Sequence, residues 1–402
     1  MPKPFPPDFV WGTATAAHQI EGNNVNSDCW ALEHAKPSLF AEPSGDATDS
    51  YHRFAEDVEI VASLGLDAYR FSIEWARIEP EDGFFSEAAL AHYQRCVAAC
   101  LAKGLKPVVT FHHFTLPRWL TAKGGFAAVD FPARFAAYCE KAARSLDGMA
   151  MACTINELNL PLLARGYFFE QIKPDAKAAA EKALGGPLTN FFIFADDGAV
   201  LGNGIAAHRA ARSAIKTARP GVPVGMTLAI SEEAAEPGAE AYRDTRLNRL
   251  YVPFLDAAAD DDFVGVQNYT RTTSRADGST GVPAGAPRTT MGYEDRPQAL
   301  GEVCRWIANR WKTPMYVTEN GFSGDDDARR AEFISQALDG LAAAIASGAD
   351  IRGYFYWSLL DNFEWLLGYR QRFGLVSVDR ATQKRQIKDS AKTYASLVRK
   401  HA

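Results

Sequence analysis

Two glutamates end runs of strand-like residues and are well placed in this sequence to do chemistry. Glu157 closes the string Met149-Ala-Met-Ala-Cys-Thr-Ile-Asn-Glu157, and Glu319 lies in Pro314-Met-Tyr-Val-Thr-Glu319-Asn-Gly321. In an α/β chain, a carboxylate at the C-terminal end of a strand is where a (β/α)8 barrel carries its catalytic groups. Two carboxylates that face each other across a sugar bond are what a retaining glycosidase needs. The two strings therefore indicate glycosidase chemistry on a barrel.

This chemistry requires the two carboxylates to differ in protonation. In a retaining mechanism one carboxylate attacks the anomeric carbon while the other protonates the leaving oxygen, and the two groups stand roughly 5 to 5.5 Å apart. Strands four and seven of a closed ring can face each other at that range. Arg70, at the end of a predicted second strand, would favour the anion of Glu319, and that anion would keep a proton on Glu157.

The elements that must position these residues follow an alternating pattern of strands and helices. Apolar residues at helical spacing predict one-faced helices over Tyr51–Leu64 and Ala88–Leu101. Eight is the strand number of a (β/α)8 barrel. An open doubly wound sheet is the weaker alternative, because polar motifs follow many strands rather than one switch point. The eight segments with strand character are Val10–Thr15, Ala68–Ser72, Pro107–Phe111, Met151–Ile155, Val224–Leu228, Phe263–Gln267, Met315–Thr318 and Gly353–Trp357.

The length and composition suit one globular domain built on such a barrel. The chain has 402 residues, of which 47% are hydrophobic and 23% are charged, so it can bury a large core. A minimal barrel needs about 250 residues, and no linker, internal repeat or low-complexity tract divides the sequence. We therefore predict an α/β fold with a single (β/α)8 TIM-barrel domain over residues 1–402, in which long βα loops form the active-site face.

Charge, hydropathy and cysteine content argue against several classes of protein. The net charge of -6 and the lack of a Lys/Arg cluster interleaved with aromatics argue against nucleic-acid binding. No apolar segment has the length of a membrane span or the placement of an export signal. The six cysteines form no disulfide framework and no C-x-x-C pair, which fits reduced thiols. We expect a cytoplasmic protein, with a homo-oligomer left open.

Motifs along nearly the whole chain resemble those of family 1 glycoside hydrolases of the β-glucosidase type. Both glutamate strings belong to this resemblance, which implies a (β/α)8 barrel, retention of configuration, no metal and no cofactor. The family's acid/base falls on Glu157 and its nucleophile on Glu319. The other matching blocks, in family order, are Phe9-Val-Trp-Gly-Thr-Ala-Thr-Ala-Ala-His-Gln19-Ile-Glu-Gly22, Tyr69-Arg70-Phe71-Ser72-Ile73-Glu74-Trp75, Trp357-Ser-Leu-Leu-Asp-Asn-Phe-Glu364-Trp365, Gly368-Tyr369 and Arg372-Phe373-Gly374.

The resemblance also implies a sugar pocket, and its side chains suit a ring of hydroxyls with apolar C–H faces. Trp357 would lie beneath the sugar ring, while Arg70 and Tyr269 would flank the nucleophile. The expected substrate is a small-molecule β-glycoside from which a terminal β-glucosyl unit is removed. The residues expected to hydrogen-bond the sugar hydroxyls are Gln19, His113, Asn156, Glu364 and Trp365.

Alternatives stay open at the level of single residues and of substrate. On spacing alone, His113 reads as a core histidine and Trp357 as a core aromatic. A non-catalytic sugar-binding barrel is the alternative outside enzymology, and β-galactosidase or β-fucosidase specificity is the alternative within the family. The Glu364-Trp365 pair argues against 6-phosphosugars, because a carboxylate there would repel phosphate.

Three residues depart from the family pattern. Leu158 replaces the proline that usually follows the acid/base, Thr115 stands where an aspartate is common, and Gln267 occupies the position of the usual asparagine before Tyr269. The stretch Pro161–Val200, which includes Gly166-Tyr167-Phe168-Phe169, also departs. It should line the entrance for the leaving group, so the sequence leaves the aglycone open.

A glycine-rich string competes with this interpretation. Gly202-Asn-Gly204-Ile-Ala-Ala207 matches the dinucleotide fingerprint and leads into a helical segment, Ala206–Ala218. That fingerprint needs a buried strand directly before it, whereas Asp196-Asp197-Gly198 leaves only three apolar residues there. We therefore interpret the glycines as a helix start.

Overall fold

A ring of parallel strands forms the centre of the computed structural model, which describes residues 4–168 and 171–401. The strands in chain order are β1 (Val10–Ala14), β2 (Ala68–Ser72), β3 (Lys106–His112), β4 (Met151–Ile155), β5 (Val224–Gly225), β6 (Thr227–Ala229), β7 (Glu232–Ala235), β8 (Val264–Gln267), β9 (Arg271–Ser274), β10 (Thr280–Gly281), β11 (Met315–Asn320), β12 (Ile351–Trp357), β13 (Val376–Asp379) and β14 (Lys384–Ile387).

Nine of these strands make one sheet in the order β5-β4-β3-β2-β1-β12-β11-β8-β6. Only Met226 separates β5 from β6, and these two strands pair with β4 and β8, respectively. The two short strands therefore act as the fifth strand of an eight-stranded barrel. The predicted (β/α)8 barrel is confirmed, and each predicted strand overlaps an observed one.

Helices surround the barrel and connect its strands. The predicted helices over Tyr51–Leu64 and Ala88–Leu101 are observed at Ser50–Ser63 and Glu87–Ala102. Gly65 and Gly104 follow them with φ of 71° and 72°, as left-handed C-terminal caps. The helices are α1 (Ala17–Ile20), α2 (Asp28–Glu33), α3 (Ser50–Ser63), α4 (Trp75–Ile78), α5 (Glu87–Ala102), α6 (Arg118–Ala122), α7 (Phe131–Ser145), α8 (Leu160–Phe168), α9 (Pro174–Leu184), α10 (Ile205–Ala218), α11 (Glu240–Leu250), α12 (Val252–Ala257), α13 (Ala299–Ala308), α14 (Asp327–Ala346) and α15 (Asp389–His401).

Two smaller sheets lie outside the barrel. β7, β9 and β10 form one of them, and β13 pairs with β14 in an antiparallel hairpin. The sequence analysis did not include these strands, because their polar composition lacks the apolar runs that mark barrel strands. Both sheets come from segments that follow barrel strands, so they extend the face that carries the glutamates.

The barrel interior is apolar except where it meets the candidate site. Ala68 packs in the interior cluster with Val108 and Phe355. Side chains alternate along a strand, so Arg70 lies on the same face of β2 as Ala68 and is completely buried. All six cysteines are free and buried. In residues 4–168 and 171–401, no helix has the length and apolar character that a membrane span requires.

The glycine-rich string is helical. A π-helix over Ala199–Gly204 runs into α10, and Gly204 has φ of -63° and ψ of -48°. A dinucleotide loop would need a strand before these glycines, and a helical segment stands there instead. The interpretation as a helix start therefore agrees with the structure.

Candidate active site

The residues that the sequence analysis selected meet at the C-terminal ends of the barrel strands. Several elements contribute one or two side chains each, and this convergence is how a (β/α)8 barrel builds a site. Their positions are Gln19 in α1 after β1, Arg70 in β2, His113 after β3, Asn156 and Glu157 after β4, Tyr269 after β8, Glu319 near the end of β11, Trp357 at the end of β12, and Glu364 and Trp365 in the loop beyond it.

Glu319 has two strong hydrogen-bond donors. Arg70 Nη1 lies 2.6 Å from one carboxylate oxygen, and the Tyr269 hydroxyl donates to the other at 2.7 Å. Both partners stabilise the ionised form of a carboxylate. Burial raises the pKa of Glu319, while Arg70 and Tyr269 act to lower it. Glu319 is therefore buried away from water, and two hydrogen-bond donors stabilise its ionised form.

Glu157 has the opposite environment. It is buried, and no described side chain hydrogen-bonds to its carboxyl group. Burial, and secondly the charge of Glu319, raise the pKa of Glu157 well above its ordinary range, against a smaller lowering by Arg70. Glu157 therefore holds its proton at a pH where Glu319 has lost its own.

The side-chain amide of Asn156 contacts four neighbours, among them Arg70, which binds Glu319, and Thr227, which binds the Glu157 N–H. Its Oδ1 accepts hydrogen bonds from Arg70 Nη2 at 2.5 Å, Gln267 Nε2 at 2.8 Å and Thr227 Oγ1 at 3.0 Å. Its Nδ2 faces His113 Nε2 at 3.2 Å. Three donors on one oxygen fix the orientation of the amide, so the nitrogen must point toward His113.

His113 and two tryptophans form the aromatic side of the pocket. The His113 ring lies 5.9 Å from both Trp357 and Trp365, with interplanar angles of 21° and 15°. Burial, with the charge of Arg70, lowers the pKa of His113 well below its usual value. A neutral ring that accepts from Asn156 at Nε2 carries its proton on Nδ1, which is buried without a partner among the described residues.

Gln19 and Glu364 are hydrogen-bonded to each other. Gln19 Nε2 donates to the carbonyl oxygen of Phe363 at 2.6 Å and to Glu364 at 3.2 Å. In the described chain the Gln19 Oε1 atom is buried without a partner. Burial, then the Glu319 charge, raise the pKa of Glu364 to about 8, while Gln19 acts to lower it. These free polar atoms, set among indole faces, suit a polyhydroxylated ligand.

The three departures from the family pattern each have a defined contact. Gln267 reaches Asn156, as a longer amide can. The Thr115 hydroxyl lies 2.9 Å from each carboxylate oxygen of Glu74, whose pKa is raised by burial. Leu158 is buried, and its Cδ1 would lie 2.7 Å from a Cβ placed on Gly204. Gly204 of the glycine-rich string therefore gives Leu158 room to pack.

The segment after Glu157 is helical and aromatic. α8 follows β4 directly, and Phe192 packs with its ring centroid 5.0 Å from that of His112 and 5.6 Å from that of Phe114. In the string Gly166-Tyr167-Phe168-Phe169, Phe169 lies outside the described residues. The expectation that Pro161–Val200 lines the entrance stays a prediction.

One group of side chains with metal-ligating atoms lies next to Trp365. Within the described part of the chain, His18, Cys29 and Glu33 bring ligand atoms within 4.8 Å of one another. His18 lies 2.7 Å from Glu33 and 3.0 Å from Asn24, and its ring stacks on Trp365. Cys29 donates to Glu33. These hydrogen bonds pair the side chains with one another and hold the His18 ring against Trp365. We therefore interpret the group as structural support for that tryptophan.

Gly321 of the Thr-Glu-Asn-Gly string is explained by a close approach of the main chain. A Cβ at this position would lie 1.9 Å from the carbonyl oxygen of Trp357. The end of β11, which carries Glu319, can therefore approach the end of β12 at Trp357 only if residue 321 has no side chain.

We expect Gly321→Ala to lower the free energy of unfolding by about 2 kcal/mol or more, the scale of an overpacked site, and to reduce turnover because Glu319 and Trp357 shift. Gly202→Ala is the matched control, since a Cβ there meets nothing within 4 Å. Its stability should stay level or rise by up to about 1 kcal/mol. Denaturant unfolding measures both, and equal stability of the two variants would contradict this explanation of Gly321.

The sequence analysis missed two contributors. Thr227 lies inside the predicted strand Val224–Leu228, with no motif around it, and its hydroxyl contacts both Asn156 and the N–H of Glu157. The main-chain carbonyl oxygen of Phe363 accepts a hydrogen bond from Gln19. A pattern of side chains in the sequence cannot reveal a contact with a carbonyl oxygen. Only a polar residue in an otherwise apolar strand could have drawn attention to Thr227.

Comparison with known proteins gives consistent matches over the full length. The model of the family described as glycosyl hydrolase family 1 matches residues 1–275 and 256–402. β-Glucosidase A of Thermotoga maritima is 31% identical, with 99% of this chain and 98% of the relative covered. The solved β-glycosidase BGL167 has a TM-score of 0.95 and 46% identity, with 99% and 98% coverage. The Thermotoga maritima β-glucosidase in complex with glucoimidazole has a TM-score of 0.87 at 28% identity, with 99% of each chain covered.

Proposed function

The chain belongs to glycosyl hydrolase family 1, and we propose that within this family it is a retaining exo-β-glucosidase. In this proposal Glu319 is the nucleophile and Glu157 is the acid/base. The observation that carries the assignment is the asymmetry of the two carboxyl groups. Arg70 and Tyr269 hold Glu319 as an anion, whereas Glu157 has burial and the charge of Glu319 to keep it protonated.

The first step follows from these protonation states. A Glu319 oxygen attacks the anomeric carbon, the bond to the glycosidic oxygen breaks, and Glu157 gives that oxygen its proton. The products are a free alcohol and a glycosyl ester on Glu319. Attack consumes the charge of Glu319, so the pKa of Glu157 falls once the ester forms.

The second step uses the same groups in reverse. Glu157, now ionised, accepts a proton from a water molecule, and the resulting nucleophile attacks the anomeric carbon from the side that the leaving group vacated. Two displacements at one carbon restore the β configuration. Arg70 and Tyr269 then receive the Glu319 carboxylate again as it leaves the sugar.

The polar atoms of the pocket support a terminal sugar as the substrate. Gln19 Oε1 and the Nδ1–H of His113 are unpaired in the described chain, and Glu364 adds a carboxyl group of which one oxygen accepts a hydrogen bond from Gln19. We assign these groups to the sugar hydroxyls and Trp357 to the apolar ring face. Relatives named as β-glucosidases favour glucose among the sugars that such a pocket could accept.

A panel of aryl β-glycosides, with the product anomer followed by NMR, tests the proposal. We expect the β-glucoside to be hydrolysed with β-glucose as the first product. The panel includes the galactoside and fucoside, and preference for either would contradict glucosidase specificity. First release of the α anomer would contradict retention, and no hydrolysis of any member would favour a non-catalytic sugar-binding barrel.

A further inference from the structure

Thr227 is the one described side chain that hydrogen-bonds to Asn156 and to the main chain of Glu157 together. It lies in β6 and is completely buried. Its hydroxyl donates to Asn156 Oδ1 at 3.0 Å and accepts from the Glu157 N–H at 3.3 Å. A hydroxyl has one proton and two lone pairs, so both bonds can form at once.

The position of this hydroxyl is fixed by packing. Thr227 stands opposite Gly265 of β8 in the barrel register. A Cβ on Gly265 would lie 2.4 Å from the Thr227 methyl group, so the missing side chain gives that methyl group its place. β-Branched side chains have few accessible rotamers. With the methyl group held against Gly265, the hydroxyl is directed to the other side, toward the end of β4.

The main chain at Glu157 gives the hydrogen bond its importance. Glu157 has φ of 48°, in the left-handed region that non-glycine residues seldom adopt. Such a conformation persists only where the surroundings enforce it. In the described chain Thr227 supplies the hydrogen-bond partner of the Glu157 N–H, so it helps to hold the residue that aims the carboxyl group.

We propose that Thr227 is a positioning residue that sets the direction of the Glu157 carboxyl group and the orientation of the Asn156 amide. This inference rests on the proposed function and deepens it, because it names a group outside the catalytic pair on which proton transfer depends. Thr227 acts through its neighbours, and it has no place in the sugar contacts proposed above.

Gln267 provides a matched comparison. Its Nε2 donates to the same Asn156 Oδ1 at 2.8 Å, but it has no hydrogen bond to Glu157. Loss of the Gln267 amide should therefore disturb Asn156 alone, whereas loss of the Thr227 hydroxyl should disturb both Asn156 and the acid/base. The two variants separate proton donation from sugar binding.

The test is the dependence of kcat/KM on the leaving group in the full-length enzyme. Aryl β-glucosides with acidic phenols need little help from a general acid, and those with weakly acidic phenols need much. In Thr227→Val, which keeps the methyl group against Gly265, we expect a loss of about 10- to 100-fold for weakly acidic phenols and little loss for dinitrophenol. This loss is smaller than the full contribution of general acid catalysis, about 10²–10⁴-fold, because the acid is displaced and not removed. Thr227→Ser, which keeps the hydroxyl but lacks the methyl contact with Gly265, should recover most of the wild-type dependence.

Gln267→Met should lower kcat/KM by about the same factor for every phenol, so the dependence of kcat/KM on the leaving group should not become steeper. Thr227→Ala serves as a second hydroxyl-free variant if Thr227→Val does not fold, and its dependence should steepen in the same way. A dependence equal to that of the active wild-type enzyme in the hydroxyl-free variant would overturn the role of Thr227, as would a Thr227→Ser variant that is equally impaired. Absence of hydrolysis by the wild-type enzyme would instead overturn the proposed function.

Discussion

Glu319→Gly is expected to lose at least about 10,000-fold in kcat for an aryl β-glucoside, a loss on the scale of removing a covalent nucleophile. The variant keeps Arg70 and Tyr269, which in the wild type bind the carboxylate at 2.6 and 2.7 Å, so a small anion can enter the space that the side chain leaves. Azide should therefore restore turnover of substrates with good leaving groups. Because azide attacks in place of Glu319, one displacement occurs and the product is the α-glucosyl azide.

The anomeric configuration of the azide product distinguishes loss of the nucleophile from loss of any other catalytic group. NMR of the product determines its anomeric configuration, and wild-type enzyme with the same azide concentration provides the background rate. A Glu319→Gly variant with near wild-type kcat would contradict the assignment. So would rescue that yields the β-glucosyl azide, because that product requires a glycosyl ester formed elsewhere on the protein.

Glu157→Gln is expected to have the second largest effect. The general acid contributes about 10²–10⁴-fold, so kcat/KM for a weakly acidic phenol should fall on that scale, while a dinitrophenyl glucoside should lose much less. Here azide should give the β-glucosyl azide, since the glycosyl ester on Glu319 still forms and azide replaces water on its free face. The opposite azide anomers of the two variants would assign the two carboxylates independently.

The pH profile of kcat/KM tests the roles of Glu319 and Glu157 by a second measurement. The active form has Glu319 ionised and Glu157 protonated. Activity should thus fall as pH drops through the pKa of Glu319, which burial raises, and fall again as pH rises through the still higher pKa of Glu157. Glutamine cannot lose a proton, so Glu157→Gln should lose the alkaline limb attributed to Glu157. Persistence of the whole alkaline limb in that variant would assign it to another group, such as Glu364.

Much of the architecture could be predicted because it depends on periodic local patterns. Alternation of apolar strands with one-faced helices predicted eight barrel strands, and the blocks shared with the family placed the glutamates at the proper ends. The division of the fifth strand at Met226 was not predictable, since it depends on two neighbours, β4 and β8, that pair with opposite ends of one short segment.

The candidate site could be predicted only as far as its motifs extend. Glu157 and Glu319 lie in recognisable strings, whereas Thr227 contributes one hydroxyl from a strand whose pattern is otherwise that of a core element. The role of Gln267 was also beyond the sequence, because its hydrogen bond to Asn156 joins residues 111 positions apart. Contacts of this kind are set by barrel closure, which no local pattern encodes.

The environment of the pocket explains why single residues were ambiguous. His113 has the character of a core histidine, buried and neutral, as its spacing suggested. It is nonetheless bonded to Asn156 and flanked by Trp357 and Trp365. A structural buried histidine and a ligand-binding histidine therefore look alike in sequence. They differ in whether a polar atom of the ring is left without a protein partner.

Glu319 is expected to form a covalent bond to the sugar. The wild-type enzyme is incubated with a 2-deoxy-2-fluoro-β-glucoside that carries an activated leaving group. The fluorine slows both displacements, and the leaving group keeps the first faster than the second, so the glycosyl ester accumulates. Mass spectrometry of peptides from the labelled protein should place the fluorosugar on Glu319, with activity returning as the label is lost. A label on another residue, or an active enzyme that accumulates no label, would contradict Glu319 as the nucleophile.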